Sequence, residues 1–171
     1  QTVKSESSTE LEIEKLFGLD TARQKNLLRY WSHQAGLPLP SEVKLQHILS
    51  DVLPAAGDKT PLVQWCGAEV RRFNGRLYIM PPLPEFDPLQ VIPWADLDQP
   101  LVLPTGMTLV CRKGGTPPAL SLTKLRSATL EVRFRHGGER ISPAGKLHHV
   151  DLKKLLQQHH VPPWRRRTIP L

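Results

Sequence analysis

The residues of this sequence best suited to chemistry with a partner are the basic side chains near its carboxyl end. Residues 126–171 hold ten Lys or Arg and three acidic residues, a net charge of +7 that equals the formal charge of the whole chain. The preceding 125 residues hold 13 basic and 13 acidic residues, which sum to zero. A localised positive field attracts a polyanion. We therefore expect nucleic acid as the partner, with an anionic membrane surface as the second possibility.

The sequence contains no recognisable catalytic motif. It has no glycine-rich phosphate loop, no nucleophile elbow and no cysteine or histidine pairs at zinc-finger spacing. The pairs His148-His149 and His159-His160 do not favour a metal, because adjacent side chains point apart and at most one of each pair could bind a common ion. We expect no catalytic residue, cofactor or metal ion here, and a surface or phosphate-contacting role for these histidines.

Composition sets the broad class of the protein. At 39% hydrophobic residues the chain can bury a core, and its 17 prolines and 11 glycines favour short elements. Cys66 and Cys111 are far apart and are typical of free cytosolic thiols. No apolar run approaches the length of a membrane span and no signal peptide is visible, so we expect a cytoplasmic protein. The chain begins with Gln1, which suggests a piece of a larger protein or a processed one.

Three helices are predicted in the first half of the chain, before the hairpin described below. The segment TELEIEKLFGL from Thr9 predicts a short helix, and Asp20 is placed to cap a longer helix over 21–34, with Gly36 as its left-handed C-cap. Ser41 is placed to cap a third helix. That helix has the i, i+3, i+4, i+7, i+8 spacing of a core-facing surface, carried by Leu45, Ile48, Leu49, Val52 and Leu53.

A β-hairpin follows these helices. Asn74-Gly75 favours a two-residue type I′ turn, and period-2 alternation then separates two faces. The packed face is Val70, Leu77 and Ile79, with Arg72 as the exception. The other face is cationic and aromatic, with Arg71, Phe73, Arg76 and Tyr78, a combination that suits RNA backbone and unstacked bases. Alternatively, Phe73 and Tyr78 pack against another domain.

The second half of the sequence predicts short strands and helices. Residues 85–100 are rich in Pro and Asp and predict a linker with little regular structure. A hairpin is expected around Thr105-Gly106. The alternation over 129–135 predicts a strand that turns at His136-Gly137-Gly138 into a partner strand through Arg140 and Ile141. Asp151 is placed to cap a short amphipathic helix, and one further helical turn is expected over 164–168.

These elements predict an α+β fold with two domains. A small helical domain with a β-hairpin spans residues 9–84, a linker spans 85–100, and a small, basic, mixed α/β terminal domain spans 101–171. A run such as RRR often forms only a solvated face, but here a strand, a helix and a terminal turn all contribute basic residues. The predicted RNA-contacting residues are Arg71, Arg72, Arg76, Tyr78, Arg133, Arg135, Arg140, Lys146, His148, His149, Lys153, Lys154, Arg165, Arg166 and Arg167.

Two long motifs carry a resemblance to a known family. The first is LLRYWSHQAGLPLPSEVKLQHIL followed by VRRFNGRLYIMPP. The second is VRFRHGGERISPAGKLHHVDLKKLLQQHHVPPWRRRTIPL, with a Gly-x-x-His-His segment, Leu-Lys-Lys-Leu, Pro-Pro-Trp and Pro-Leu. Together they resemble the C-terminal half of bacterial tRNA(Ile)-lysidine synthases, over roughly residues 10–171.

The resemblance implies a role that composition could not show. Members of this family use ATP, with Mg²⁺, to adenylate the wobble cytidine of an isoleucine tRNA with a CAU anticodon, and lysine then displaces AMP. That chemistry belongs to an N-terminal domain with an SGGxDS loop, and the loop is absent from this sequence. By this resemblance the partners are tRNA and the protein's own catalytic domain, with a homodimer possible. The terminal domain would grip the acceptor stem. The alternative is a docking or dimerisation module with an incidental basic surface.

Overall fold

The computed structural model describes residues 9–56, 59–114, 120–142 and 148–171. Within these ranges the chain is an α+β protein with antiparallel strand pairs, which confirms the predicted fold class. It divides into two compact units, one ending at Pro82 and the other beginning at Leu83. We describe each unit by itself.

Helices build one side of the first unit. They are α1 (Ile13–Phe17), α2 (Thr21–Gln34) and α3 (Glu42–His47), and α3 runs on into a π-helical turn (Ile48–Val52). The predicted caps are present: the Asp20 carboxylate accepts the N–H of Arg23 at 2.9 Å, and Ser41 Oγ accepts that of Lys44 at 3.4 Å. Gly36 has a φ of 68°, the left-handed conformation expected at this position.

A four-stranded sheet completes the first unit. Its strands are β1 (Glu10–Glu12), β2 (Leu62–Trp65), β3 (Ala68–Phe73) and β4 (Arg76–Met80), in the order β1-β4-β3-β2. The predicted hairpin register is confirmed, since Phe73 lies opposite Arg76, and Asn74 and Gly75 have φ angles of 48° and 73°. The core between helices and sheet contains Leu45, Ile48, Val52, Leu53, Val70, Leu77 and Ile79.

The strand β1 differs from the prediction, which placed Thr9 to Gly18 in one helix. Only Ile13–Phe17 is helical, and Glu10–Glu12 pairs with β4. The Glu-Leu-Glu alternation explains the difference, because in an extended chain it turns Leu11 toward the core and both carboxylates to the other face. The tertiary pairing therefore outweighs the local helix preference.

The second unit is built from short elements. They are β5 (Ile92–Pro93), β6 (Leu101–Val102), β7 (Thr108–Leu109), α4 (Leu122–Ser127), β8 (Glu131–Val132), β9 (Arg140–Ile141), β10 (Val150–Asp151), α5 (Leu152–Gln158) and α6 (Pro163–Arg166). The hairpin expected around Thr105-Gly106 is confirmed as β6–β7. Asp151 caps α5 by accepting the N–H of Lys153 at 2.8 Å, as predicted.

Residues 85–100 contain little regular structure, as their composition predicted, with β5 as their one strand, but they also pack within the second unit. Ile92 in β5 pairs with Val132 in β8, and Trp94 donates its backbone N–H to Leu130 O at 2.9 Å. The ring of Phe86 packs edge-on against the buried Phe134, with centroids 4.8 Å apart. Large apolar side chains that are scattered among Pro and Asp residues thus supply part of the hydrophobic core of the second unit.

The predicted pairing of 129–135 with Arg140 and Ile141 is wrong. Strand β9 pairs with β10, whereas β8 pairs with β5. The intervening turn explains this, because the Glu139 carboxylate accepts the N–H groups of His136 and Gly137, each at 2.6 Å, and turns the chain away. Beyond β8, Arg133 instead exchanges backbone hydrogen bonds with Leu171, at 3.1 and 2.8 Å.

Candidate nucleic-acid interface

The cationic side of the hairpin is largely neutralised within its own unit. Arg71 Nε lies 2.7 Å from Glu69 Oε1, and the Glu69 side chain is only 3% exposed. Arg76 reaches Glu10 at 3.3 Å and Glu12 at 3.7 Å, because β1 lies beside β4 in the sheet. This face therefore combines two arginines with three glutamates, and its field is weak.

The other two predicted RNA-contacting residues of the hairpin, Arg72 and Tyr78, also take part in the packing of the first unit. Arg72 donates from its guanidinium to the backbone carbonyl of Leu53 at the end of the π-helical turn. Arg72, the one charged residue on the apolar face of the hairpin, thus satisfies a carbonyl group at the end of that turn. Tyr78 is buried at 8% exposure, so its ring does not lie on an open stacking surface. Neither placement resembles the open basic and aromatic platform expected from the alternation.

The terminal basic residues present a different picture. Several are exposed and form no ion pair with any described residue; these are Arg140 on β9, Lys153 and Lys154 on α5, and Arg165 and Arg167 at α6. Arg133 is exposed and pairs with Glu131 at 2.8 Å, a contact of two solvated side chains that is worth little. Asp151, the register partner of Arg140, uses a carboxylate oxygen to cap α5.

Arg135 and Arg166 are less exposed than the other terminal arginines. The Arg135 side chain is 16% exposed and its Nε lies 3.2 Å from Glu139 Oε2. Arg166 is half-buried, and its Nε donates to Val161 O at 2.8 Å. Burial lowers the pKa of Arg166, and the neighbouring charge of Arg135 lowers it further.

Glu139 was not among the predicted site residues. Burial alone would raise the pKa of Glu139, but the N–H groups of Gly137, Glu139 and His136 and the charge of Arg135 outweigh that effect, and the pKa lies below its ordinary value. Its carboxylate holds the turn that presents Arg135 and Arg140. The signal in the sequence was its position directly after two glycines, as one of three acids in a basic stretch.

The remaining candidates are histidines and Lys146. His148 and His149 are exposed, and His149 Nδ1 lies 2.9 Å from Ser142 Oγ. Lys146 falls outside the described residues. Among the residues that are described, no three His, Cys, Asp or Glu side chains group in a way that could hold a metal ion. Nor does this part of the chain include a helix with the length and apolarity that crossing a bilayer requires.

Comparisons with known proteins assign both units. The family model described as the TilS substrate binding domain matches residues 11–78, and the one described as the TilS substrate C-terminal domain matches residues 130–171. Curated relatives include the tRNA(Ile)-lysidine synthases of Methylococcus capsulatus, 37% identical over 164 residues, and Coxiella burnetii, 36% identical over 168 residues. The enzyme of the same name from Pectobacterium atrosepticum is 33% identical over 162 residues.

These alignments cover nearly all of this chain but a minor part of each relative. They take in 94%, 97% and 94% of the chain and 36% of each of the three relatives. The chain thus spans about a third of the length of the curated relatives it matches. Since two models of one family match in succession and the relatives align along almost the whole chain, the chain belongs to the TilS family and carries its substrate-binding and C-terminal domains.

Proposed function

We propose that this chain is the tRNA-binding part of a tRNA(Ile)-lysidine synthase, and that its second unit grips the tRNA through phosphates. Three observations together support this. The relatives are named tRNA(Ile)-lysidine synthases, the matching models describe substrate binding, and residues 140–167 contain several exposed basic side chains that form no ion pair with a described residue. Double-stranded RNA is bound mainly through phosphates and 2′-hydroxyls, which suits dispersed Arg and Lys.

In this proposal the chemistry takes place in a catalytic domain outside the chain. That domain would use ATP and Mg²⁺ to activate the wobble cytidine of an isoleucine tRNA with a CAU anticodon and ligate lysine to it. The two units of this chain would hold the tRNA so that the reacting base stays in place, since binding energy away from the reaction centre can position the reacting group. We propose the cytoplasm as the compartment, and the two free thiols, Cys66 and Cys111, support this.

The central test measures the affinity of the chain for isoleucine tRNA as a function of salt. Each neutralised phosphate adds about 0.7 to 0.9 to the negative slope of log K against log salt. Five or more contacts from the exposed cluster would lower the affinity by at least about a hundredfold between 50 and 200 mM salt. An affinity that barely changes over this range would exclude a phosphate-gripping role.

Sedimentation of the chain with and without tRNA tests the alternative to tRNA binding. A chain that forms a dimer and ignores tRNA would be a docking or dimerisation module with an incidental basic surface. A chain that shifts to a tRNA complex would support the proposed role. The chain by itself should also form no lysidine when it is given ATP, lysine and the isoleucine tRNA.

A further inference from the structure

A cavity of about 350 Å³ lies within the second unit, between the segment that follows β5 and the end of α4. Two contacts join these segments around the cavity. Trp94 donates its backbone N–H to Leu130 O at 2.9 Å, and Arg126 forms an ion pair with Asp98 at 2.9 Å. The residues that line the cavity all belong to this one unit, so the fold of the unit itself holds its walls in place.

Much of the cavity lining is apolar, with one aromatic ring. Trp94 packs against the buried core of the second unit and also lines the cavity. Its indole Nε1 donates to Gln99 O at 3.2 Å, which restrains the plane of the ring. Leu97, Leu125 and Leu130 add aliphatic surface. Pockets that bind small ligands have this kind of lining and volumes of about 300 to 1,000 Å³, so the cavity has room for one flat ring system.

The charged side chains at the cavity disfavour a phosphate group as its occupant. Both carboxylate oxygens of Asp98 are engaged, Oδ1 by Lys113 at 2.8 Å and Oδ2 by Arg126 at 2.9 Å. Asp96 is the second carboxylate, so two acids and two bases give this group a formal charge of zero. A phosphate would be repelled by the Asp96 carboxylate, whereas a neutral ring would not.

Asp96 supplies a hydrogen-bond acceptor at the cavity. Its Oδ1 accepts the backbone N–H of Asp98 at 2.9 Å, which holds the turn. Its Oδ2 makes no hydrogen bond or ion pair with any described residue. An ionised carboxylate only accepts hydrogen bonds, so this oxygen selects a ligand that presents an N–H group. Cytosine presents its N4 amino group, whereas a pyrimidine with O4 at that position presents an acceptor.

We propose that this cavity binds one unpaired, amino-bearing nucleobase of the RNA, with its ring against Trp94 and its amino group donating to Asp96 Oδ2. This rests on the proposed function and adds a base contact to its phosphate contacts. Proteins recognise single-stranded RNA in this way, because an unpaired base can stack on an aromatic side chain and form hydrogen bonds through its Watson–Crick edge. A base that is already paired in a stem has no such edge to offer.

The first experiment titrates the isotope-labelled chain with cytidine and with uridine, and follows the indole N–H signals of its tryptophans by NMR. Trp94→Phe identifies the Trp94 signal by its loss. Cytidine should shift this signal, and uridine should bind about tenfold more weakly, because its O4 would face the Asp96 carboxylate. A Trp94 signal that does not respond to cytidine, or equal affinities for the two nucleosides, would overturn the proposal.

The variant Asp96→Asn tests the hydrogen bond itself. The amide keeps an oxygen for the N–H of Asp98, and so keeps the turn, but it replaces Oδ2 by an NH₂ donor. Uridine should then bind about fivefold more tightly than cytidine. The matched control is Asp87→Asn, since Asp87 accepts the N–H of Leu89 at 2.9 Å in a similar turn away from the cavity lining. It should keep the wild-type preference, and the proposal is wrong if Asp96→Asn keeps it too.

The affinity for isoleucine tRNA distinguishes this inference from the function on which it rests. Asp96→Asn should weaken tRNA binding about tenfold with an unchanged salt slope, because no phosphate contact is lost. Removal of a negative charge by itself favours binding to a polyanion, so the general field cannot cause this loss. If the wild-type chain binds no tRNA, the proposed function fails, and the nucleoside titration still reports on the cavity. If it binds tRNA with the expected salt dependence and Asp96→Asn binds as tightly, only the base site is overturned.

Discussion

The hairpin of the first unit and the basic stretch of the second contain similar residue types but differ in what surrounds them. In the hairpin, Arg71 and Arg76 have carboxylate partners and Arg72 has a backbone carbonyl. In the second unit, exposed cations such as Arg140, Lys154 and Arg167 have none among the described residues. The difference shows that the electrostatic field of a surface depends on whether its basic residues are paired with carboxylates, as well as on how many basic residues it has.

The pairing in the hairpin comes from residues distant in sequence. Glu10 lies 66 positions before Arg76, yet β1 places the two side chains in contact. In the second unit Asp98 likewise pairs with Lys113 and, 28 positions away, with Arg126, whereas the carboxylates of Asp151 and Glu139 accept backbone N–H groups. The hairpin cations therefore serve the fold, and the exposed cations beyond Glu139, such as Arg140, Lys154 and Arg167, are left for a partner.

The largest effect should come from breaking the buried pair of the hairpin. Arg71→Met leaves the Glu69 carboxylate, 2% exposed as a residue, without its cation and should lower the free energy of unfolding of the first unit by about 3 kcal/mol. Urea unfolding measures this loss. The double variant Glu69→Gln/Arg71→Met should regain most of the stability, because it removes the unpaired charge. An unchanged unfolding midpoint in Arg71→Met would mean that this arginine does not serve the fold.

Charge reversal in the terminal stretch should act on binding instead. Arg165→Glu/Arg167→Glu should weaken tRNA binding by about a hundredfold and leave the unfolding midpoint nearly unchanged, because both side chains are exposed. The matched control is Arg76→Gln in the hairpin, which should change tRNA affinity by less than about twofold. The comparison between the two regions would fail if Arg76→Gln weakened binding as much as Arg165→Glu/Arg167→Glu.

The smallest effect concerns acid stability of the second unit. The pKa of Glu139 is lowered in the folded chain, so the stability it contributes is present above its unfolded pKa of about 4.3 and is lost as pH falls through the folded value. Glu139→Gln should cost about 1 kcal/mol near neutral pH and flatten the dependence on pH below about 4. Urea midpoints between neutral pH and about pH 3 measure both changes. A variant that kept the wild-type pH dependence would assign the acid sensitivity to another carboxylate.

Local sequence signals predicted a large part of the first unit. The Asn74-Gly75 turn, the caps at Asp20 and Ser41 and the apolar spacing around Leu45 each act over a few residues, and each is confirmed. The second unit was harder to predict because its strands of two residues carry almost no periodic signal. Its core depends on side chains such as Phe86 that stand alone in a Pro-rich context.

The candidate site shows the same division. The location of the positive charge followed from counting residues, and the exposure of Lys153 and Lys154 on α5 followed from helical periodicity. The distinction between exposed cations and the half-buried Arg135 and Arg166 did not, because it depends on contacts made in the folded unit, those of Arg135 with Glu139 and of Arg166 with Val161 O. The neutral state of the hairpin also required contacts that span most of the first unit.

The attachment of β1 to β4 has a consequence for the order of folding. The β3–β4 hairpin closes over a two-residue turn and can form in microseconds, whereas β1 must close a loop of more than sixty residues before Glu10 meets Arg76. A newly made chain thus passes through a stage in which the hairpin arginines are still uncompensated. Pulse-labelled hydrogen exchange during refolding should therefore protect the amide of Ile79, which bonds to Thr9 O at 3.1 Å, later than the amides shared between β3 and β4.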